Sequence, residues 1–246
     1  MNSQRFIELE GALNVRDLGG YDTNHGKPTA WGRVFRADSL HKLTAADELK
    51  LRDLGLRAII DLRRQDEIDV EPDLWMTDPT IRFHHLPINE VAVSSAISVQ
   101  KYDIHDLTEL YRSFLDVRQP QLKRIFTAIV DVSDQPLVFH CSAGKDRTGI
   151  VAALLLDIAG VPAETIAQDY ELTRDRITSL LSKYRERAIR EGFDLTRHER
   201  MLECQYETML DTVGYLHDTY NGADNYLSQI GLTRDQVDRL HWLMEG

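Results

Sequence analysis

Apolar and polar positions follow two periods along this chain, and the two periods alternate. Short apolar runs of strand length occur at Gly32-Arg-Val-Phe-Arg36, Leu56-Arg-Ala-Ile-Ile-Asp61, Ile81-Arg-Phe-His-His-Leu-Pro-Ile88 and Leu137-Val-Phe139. Their length and β-branched or aromatic content predict strands. The segments between them have helical spacing. Leu107, Leu110, Tyr111, Phe114 and Leu115 share one face over 107–118, and Leu122, Ile125, Phe126, Ile129 and Val130 share one over 121–132. Thr44-Ala-Ala-Asp47 has the form of a capping box, opening a helix that carries Leu49, Leu51 and Leu54 and stops at Gly55. Pro162 opens a further helical segment through Leu172. From Thr173 onward the pattern is helical almost throughout, broken at Gly192, Gly222 and Gly231, with Thr233-Arg-Asp-Gln236 capping the last helix.

Strands alternating with helices, then a helical tail, predict an α/β fold. The expected architecture is a mainly parallel central sheet flanked by helices, with a helical C-terminal elaboration. In such sheets ligands bind beyond the carboxyl ends of strands. The strand ends at Asp61-Leu-Arg63 and Phe139-His-Cys141 are therefore expected to face one crevice. No linker, repeat or Pro/Gly-rich hinge interrupts the 246 residues, so a single domain over 1–246 is the simplest organisation.

Composition narrows the function classes. A hydrophobic fraction of 42% is ample for a core at this length. A net charge of −11 disfavours nucleic acid as a partner, and an anionic substrate then needs local positive charge. Arg147, Lys145 and Arg63 are the central candidates. Lys183, Arg185, Arg187, Arg190, Arg197 and Arg200 read as a solvated helix face laced with Glu186, Glu191 and Glu199. The longest apolar run, near Ile150–Leu156, is too short to span a bilayer, and the first ten residues lack a signal-peptide core. A cytoplasmic location, or secretion by a non-classical route, is expected. Two cysteines, Cys141 and Cys204, make no disulfide framework. His84-His85 lies within a strand pattern that sends the two rings to opposite faces, so neither a metal nor a cofactor is expected.

The candidate chemistry lies in His140-Cys-Ser-Ala-Gly-Lys-Asp-Arg-Thr-Gly149, between a predicted strand and a predicted helix. Backbone N–H groups of such a turn converge at a helix N-terminus and bind anions. A cysteine there is favoured as thiolate, and an arginine supplies a planar fork for a tetrahedral oxyanion. The pairing points to phosphoryl transfer through a cysteinyl-phosphate. Cys141 is the nucleophile, and Arg147 grips the phosphate. The backbone from Ser142 through Ala143, Gly144, Lys145, Asp146 and Arg147 forms the cradle. Gly144 allows a tight turn that a Cβ would obstruct. Thr148 is placed to hydrogen-bond the thiolate, and His140 to orient the loop.

His-Cys-x5-Arg-Thr resembles the active-site loop of the cysteine-dependent phosphatases. The inner Gly144-Lys-Asp146 resembles the atypical bacterial branch, which includes secreted mycobacterial and listerial members. Further blocks resemble the same family: Asn14-Val-Arg-Asp-Leu-Gly-Gly20, Arg36-Ala-Asp-Ser-Leu40, Ile60-Asp-Leu-Arg63 with Glu67, Asp169-Tyr-Glu-Leu-Thr173, and Tyr220-Asn-Gly-Ala-Asp-Asn-Tyr-Leu227 with Gly231-Leu232. Residues 68–80 and 90–104 are the least recognisable. The resemblance implies a cysteine-phosphatase-like fold and activity on phosphotyrosine, with phosphoserine/threonine and phosphoinositides as further substrates. It links Lys145 and Asp146 to the distinct activity of the branch and implies a candidate helical lid over 174–206.

Several assignments stay open at this level. Asp146 is the first candidate for general acid and Asp61 the second, while Asp103, Asp106 and Asp116 read as helix-surface residues. Lys145 either recognises multiply phosphorylated inositol head groups or attracts phosphomonoesters in general. Arg16 and Asp17 read as a buried structural pair, with bracing of the loop as the other reading. Tyr170 reads as core packing and Cys204 as an inert packed thiol, a resolving cysteine being the alternative. Two other functions compete with phosphatase activity: rhodanese-like sulfur transfer and non-catalytic phospho-binding. The His-Cys-x5-Arg-Thr string argues against the first, and the intact Cys141 and Arg147 against the second.

Overall fold

The short apolar runs become the strands of one sheet. In a computed structural model that describes residues 5–88, 106–190, 192 and 202–246, the described strands are β1 (Arg16–Asp17), β2 (Val34–Ala37), β3 (Ala58–Asp61), β4 (Arg82–His85) and β5 (Leu137–His140). They lie in the order β1-β2-β5-β3-β4. The β2, β5, β3 and β4 pairings are parallel, and β1 adds an antiparallel edge. The α/β architecture expected from the alternation is present.

Side chains alternate across the strands, and the core divides accordingly. Val34, Ala58, Ile60, Leu137 and Phe139 pack on one face into the larger apolar cluster. Phe35, Ala37, Ile59 and Val138 pack on the other, with Ala12, Val15, Leu40, Leu43, Leu51, Trp75 and Ile81. Full burial of each such side chain contributes about 1.5–3 kcal/mol. Helices α3 (Leu107–Val117), α4 (Gln119–Asp131) and α5 (Asp146–Ile158) cover the larger face. The five apolar positions predicted for α3 are its buried residues. Helix α5 is buried nearly all round, from Thr148 to Leu156, as expected of a helix with little polar surface.

The smaller face carries α1 (Ala45–Asp53), α2 (Gln65–Val70) and a 3-10 turn (Leu74–Thr77). Thr44 and Asp47 form the capping box read from the sequence. Of the three leucines expected on this helix, Leu51 is buried, while Leu49 and Leu54, the latter at the C-cap, are exposed. The C-terminal part comprises α6 (Ala163–Glu171), α7 (Thr173–Arg176), α8 (Thr178–Arg190), α9 (Tyr206–Tyr220), α10 (Ala223–Gln229) and α11 (Arg234–Glu245). The turns at Gly192, Gly222 and Gly231 all take positive φ. Asp103, Glu191, Arg197, Glu199, Arg200 and the segment 90–104 lie outside the described residues, as do the side chains of Lys183 and Arg187; Arg185 and Arg190 are exposed. Among the described residues no helix is long and apolar enough to cross a membrane.

The topology places the carboxyl ends of β3 and β5 side by side. Asp61 is in register with His140, and the Leu62 N–H donates to the His140 carbonyl (2.9 Å). The loop 141–145 leaves β5 at that edge and enters α5.

Candidate active site

The loop is held by its carbonyl oxygens. Asn14 Nδ2 donates to the carbonyls of Ala143 and Gly144 (both 3.2 Å), and Arg36 donates to Gly144 O (2.8 Å). The Ser39 N–H donates to the Ser142 carbonyl (3.1 Å). The described peptides are all trans, so C=O and the following N–H point in opposite directions. Anchoring three successive carbonyls therefore turns the N–H groups of Ala143, Gly144 and Lys145 away from the scaffold, as an anion cradle requires. Gly144 has φ +65°, and a Cβ there would lie 2.6 Å from Ala37 O, so the position demands glycine twice over.

Those anchors belong to a buried ionic hub. Asp169 of α6 accepts from Arg16 Nε (2.9 Å), Arg36 Nη1 (2.6 Å) and the Tyr21 hydroxyl (2.7 Å). Arg16 also bonds Asn14 and Thr173. Burial opposes the Asp169 charge, but the two guanidiniums hold its carboxyl far below the usual range. The expected Arg16–Asp17 pair is not formed. Neighbours on a strand face opposite sides, so Arg16 turns to Asp169 while Asp17 accepts from the N–H groups of Gly19 and Gly32. Replacing Asp169 by asparagine leaves two buried guanidiniums without their anion and should cost about 3–5 kcal/mol, measured by urea unfolding. A carboxyl lowered on folding contributes stability that is present above its unfolded value and lost as pH falls toward the folded one. Wild-type stability should therefore fall in acid more steeply than that of Asp169→Asn.

Cys141 lies at the mouth of the loop and is buried (2% exposed). Arg147, in the first turn of α5, is clamped by Glu67 of α2: Nη1 to Oε2 at 2.6 Å and Nη2 to Oε1 at 2.9 Å. Ser142 Oγ donates to the same carboxylate, and Arg147 Nη1 reaches Leu62 O at 3.3 Å. Burial opposes the Glu67 charge; Arg147 and Ser142 nevertheless hold its carboxyl well below the ordinary range. The clamp takes the Nη1–Nη2 end of the guanidinium. The Nε–H bonds to none of the described residues, which leaves the Nε side available for a phosphate.

Lys145 and Asp146 sit differently from a phosphate-lining pair. The Lys145 ammonium is buried, bonding Asp146 Oδ1 (2.9 Å) and Glu203 O (3.0 Å), so it ties the loop to the segment before α9. The Tyr111 hydroxyl donates to the same Asp146 Oδ1 (2.8 Å) and is 2.6 Å from the Tyr170 hydroxyl. Tyr111 spends its proton on Asp146, so Tyr170 donates to Tyr111. Asp146 Oδ2 takes none of these bonds. Tyr170 thus joins the polar wall of the site as well as the core. Cys204 is buried and donates to Tyr170 O (3.1 Å), and burial raises its thiol above the ordinary value, the setting of a packed thiol.

The supporting residues lie behind the loop. Arg63 is fully buried, forked onto Asp61 (3.0 and 2.7 Å) and bonded to Ser39 Oγ and Glu71 O, so its charge serves the scaffold. Asp61 is equally buried and faces His140, whose charge and Arg63 outweigh burial and keep its carboxyl lowered. Thr148 Oγ1 is buried without a hydrogen-bond partner among the described residues. Asp106 caps α3, and Asp116 accepts from Tyr215 and Tyr220, the surface roles read from the sequence. From α8, Tyr184 lies in the electrostatic field of the site. Burial and the Cys141 charge push its hydroxyl up, while Arg147 draws it down.

A strand–loop–helix cradle with a cysteine at its mouth and a clamped arginine is the arrangement that a thiolate phosphatase needs. A model of the tyrosine phosphatase family matches residues 7–244. The chain belongs to this family. It is 34% identical to a tyrosine-protein phosphatase of Nostoc commune over 83% of this chain and 71% of that one. It is 29% identical to the triple specificity protein phosphatase PtpB of Mycobacterium tuberculosis over 97% of this chain and 99% of that one. The solved structure of P. aeruginosa TpbA overlaps with a TM-score of 0.36 at 13% identity, covering 78% of this chain and 92% of that one. This phosphatase brings together five blocks that are scattered in its sequence. Asn14, Arg36 and Asp169 brace the loop, and Glu67 and Ser39 complete the support. The Glu67 clamp and the Asp169 hub were not read from the sequence as site features. The one signal for them was their place in the family-like blocks.

Proposed function

We propose that this phosphatase hydrolyses phosphomonoesters through a phosphoryl group carried on Cys141. The observation that carries the reading is Arg147, held by Glu67 at one end of its guanidinium and open at Nε, in the first turn of the helix that the Cys141 loop enters. The Cys141 thiolate attacks phosphorus, an S–P bond forms, and the ester P–O bond breaks. Arg147 and the loop N–H groups hold the phosphoryl oxygens as charge shifts to the leaving oxygen. Asp146 protonates that oxygen from Oδ2, since Oδ1 is fixed by Lys145 and Tyr111. Water then cleaves the S–P bond and releases phosphate, with Thr148 assisting the departing thiolate.

The substrates are phosphotyrosine proteins, with phosphoserine/threonine and phosphoinositides as further classes. The breadth in the name of the M. tuberculosis relative supports this range. Lys145 acts by bracing the loop and by general attraction, since its ammonium is engaged by Asp146 and Glu203. The candidate lid over 174–206 includes residues 191 and 193–201, which lie outside the described residues; its described part, 174–190, places Tyr184 in the field of Cys141 and Arg147, which supports a lid role for that part. Sulfur transfer and pure binding have no observation in their favour.

Turnover of p-nitrophenyl phosphate with vanadate inhibition, followed by a panel of phosphotyrosine, phosphoserine/threonine and phosphoinositide head groups, tests the function. No turnover on any of them contradicts it. Asp146→Asn should lose the basic limb of the pH–rate profile on p-nitrophenyl phosphate, with kcat lowered about 10²–10⁴-fold. A retained limb would move the proton donor elsewhere.

A further inference from the structure

His140 stands one residue before the nucleophile, its ring fully buried, and the groups that face it come from three directions. Its Nε2 lies 3.3 Å from Asp73 Oδ2 and 3.7 Å from Asp61 Oδ2. Its Nδ1 faces the Cys141 carbonyl at 3.4 Å. The remaining charged neighbours are Arg63 beyond β3 and Asp38 beyond β2, the latter anchored by the N–H groups of Leu13 and Asn14. Asp61 is already neutralised by the Arg63 fork. Asp73 is different. Its Oδ1 caps the 3-10 turn at the Trp75 N–H (3.0 Å), while its Oδ2 and His140 Nε2, both buried and 3.3 Å apart, make no hydrogen bond among the described residues and face each other at ion-pair distance.

We infer that Asp73 is a positioning residue for the phosphatase reaction. It fixes His140 as an imidazolium and so places a permanent positive charge behind the Cys141 thiolate. Charge balance supports this. The two carboxylates nearest the ring, Asp73 at 3.3 Å and Asp61 at 3.7 Å, meet two cations, Arg63 and protonated His140, in a fully buried region, while the more distant Asp38 is pushed toward its neutral form by burial. Among the described residues Asp61, Asp73 and His140 also bring ligand-type atoms within 4.8 Å of one another. A divalent ion there would have to displace the guanidinium from Asp61, and the imidazolium supplies the missing charge without that cost. Burial alone would lower the His140 ring, yet Asp61 and Asp73 hold it above its ordinary value. A positive charge close to a thiolate stabilises it. Asp73 thereby acts on the nucleophile through His140, from a stretch with little family likeness.

The inference rests on the Cys141 reading, but its test does not require turnover. Asp73→Asn keeps an oxygen to cap Trp75 and removes the charge. Nitrogen NMR of His140 in the wild type should show both ring nitrogens protonated from pH 6 to 8. In Asp73→Asn the ring should have lost its second proton throughout that window. Iodoacetamide alkylation of Cys141 at pH 6 should then slow about tenfold, because the thiol ionises less readily without the positive charge behind it. A His140 that is neutral at pH 7 in the wild type overturns the inference, and this outcome can be read even if the variant does not fold. A folded Asp73→Asn with unchanged His140 titration and alkylation overturns it as well. A wild type inactive on every phosphate ester, but with the His140 shift present, would overturn the phosphatase mechanism and leave the Asp73–His140 coupling in place.

Discussion

Cys141→Ser should lower kcat on p-nitrophenyl phosphate by more than about 10⁴-fold while leaving the fold intact. The size follows from the role. The thiolate makes the covalent bond to phosphorus, and a serine hydroxyl in the same place stays protonated at neutral pH with no base to activate it. The fold should survive because the loop is held by bonds that Cys141 does not make: Asn14 and Arg36 on the carbonyls of Ala143 and Gly144, and Ser39 on Ser142. Vanadate or phosphate binding by the variant, measured by calorimetry, should remain. Loss of the circular-dichroism spectrum and melting transition along with activity would indicate a structural cysteine instead.

Arg147→Lys should cost about 10³-fold in kcat/KM, although the charge is conserved. Glu67 takes two N–H groups of the guanidinium at 2.6 and 2.9 Å and still leaves the Nε side open. An ammonium cannot serve both ends. Lysine would pair with Glu67, whose carboxyl is held strongly ionised, and leave the phosphoryl oxygens without their planar partner. A substrate titration checks this: both kcat and kcat/KM should fall, because the contact strengthens as charge moves in the transition state. A rise in KM alone would make Arg147 a binding residue only.

Strands β2 to β5, the α3 and α4 faces, the α1 capping box and the nucleophile loop were legible because each is a local pattern of period two, of period 3.6, or of a cap, whereas the two-residue edge strand β1 is too short to carry a period. The support around the loop was not legible, because its partners are far apart in the chain. Arg16 meets Asp169 across 153 residues, and Arg147 meets Glu67 across 80. No periodicity links such positions, and the nearest opposite charge to Arg16 in the sequence, Asp17, points to the other face of its strand. Lys145 shows the same limit. A cation beside an anion site reads as a ligand contact, yet its ammonium is buried on Asp146 and Glu203. Asp73 lay in the least recognisable stretch, and only packing brings it to His140.

The central claim is that the phosphoryl group passes through the sulfur of Cys141. Acid-quenching the enzyme during turnover of a phosphotyrosine peptide, followed by peptide mass spectrometry, tests it directly. The account predicts one phosphoryl group on the peptide containing Cys141, formed before phosphate is released and absent from Cys141→Ser. Steady turnover with no phosphoryl group on Cys141, or with one on another residue, would contradict it.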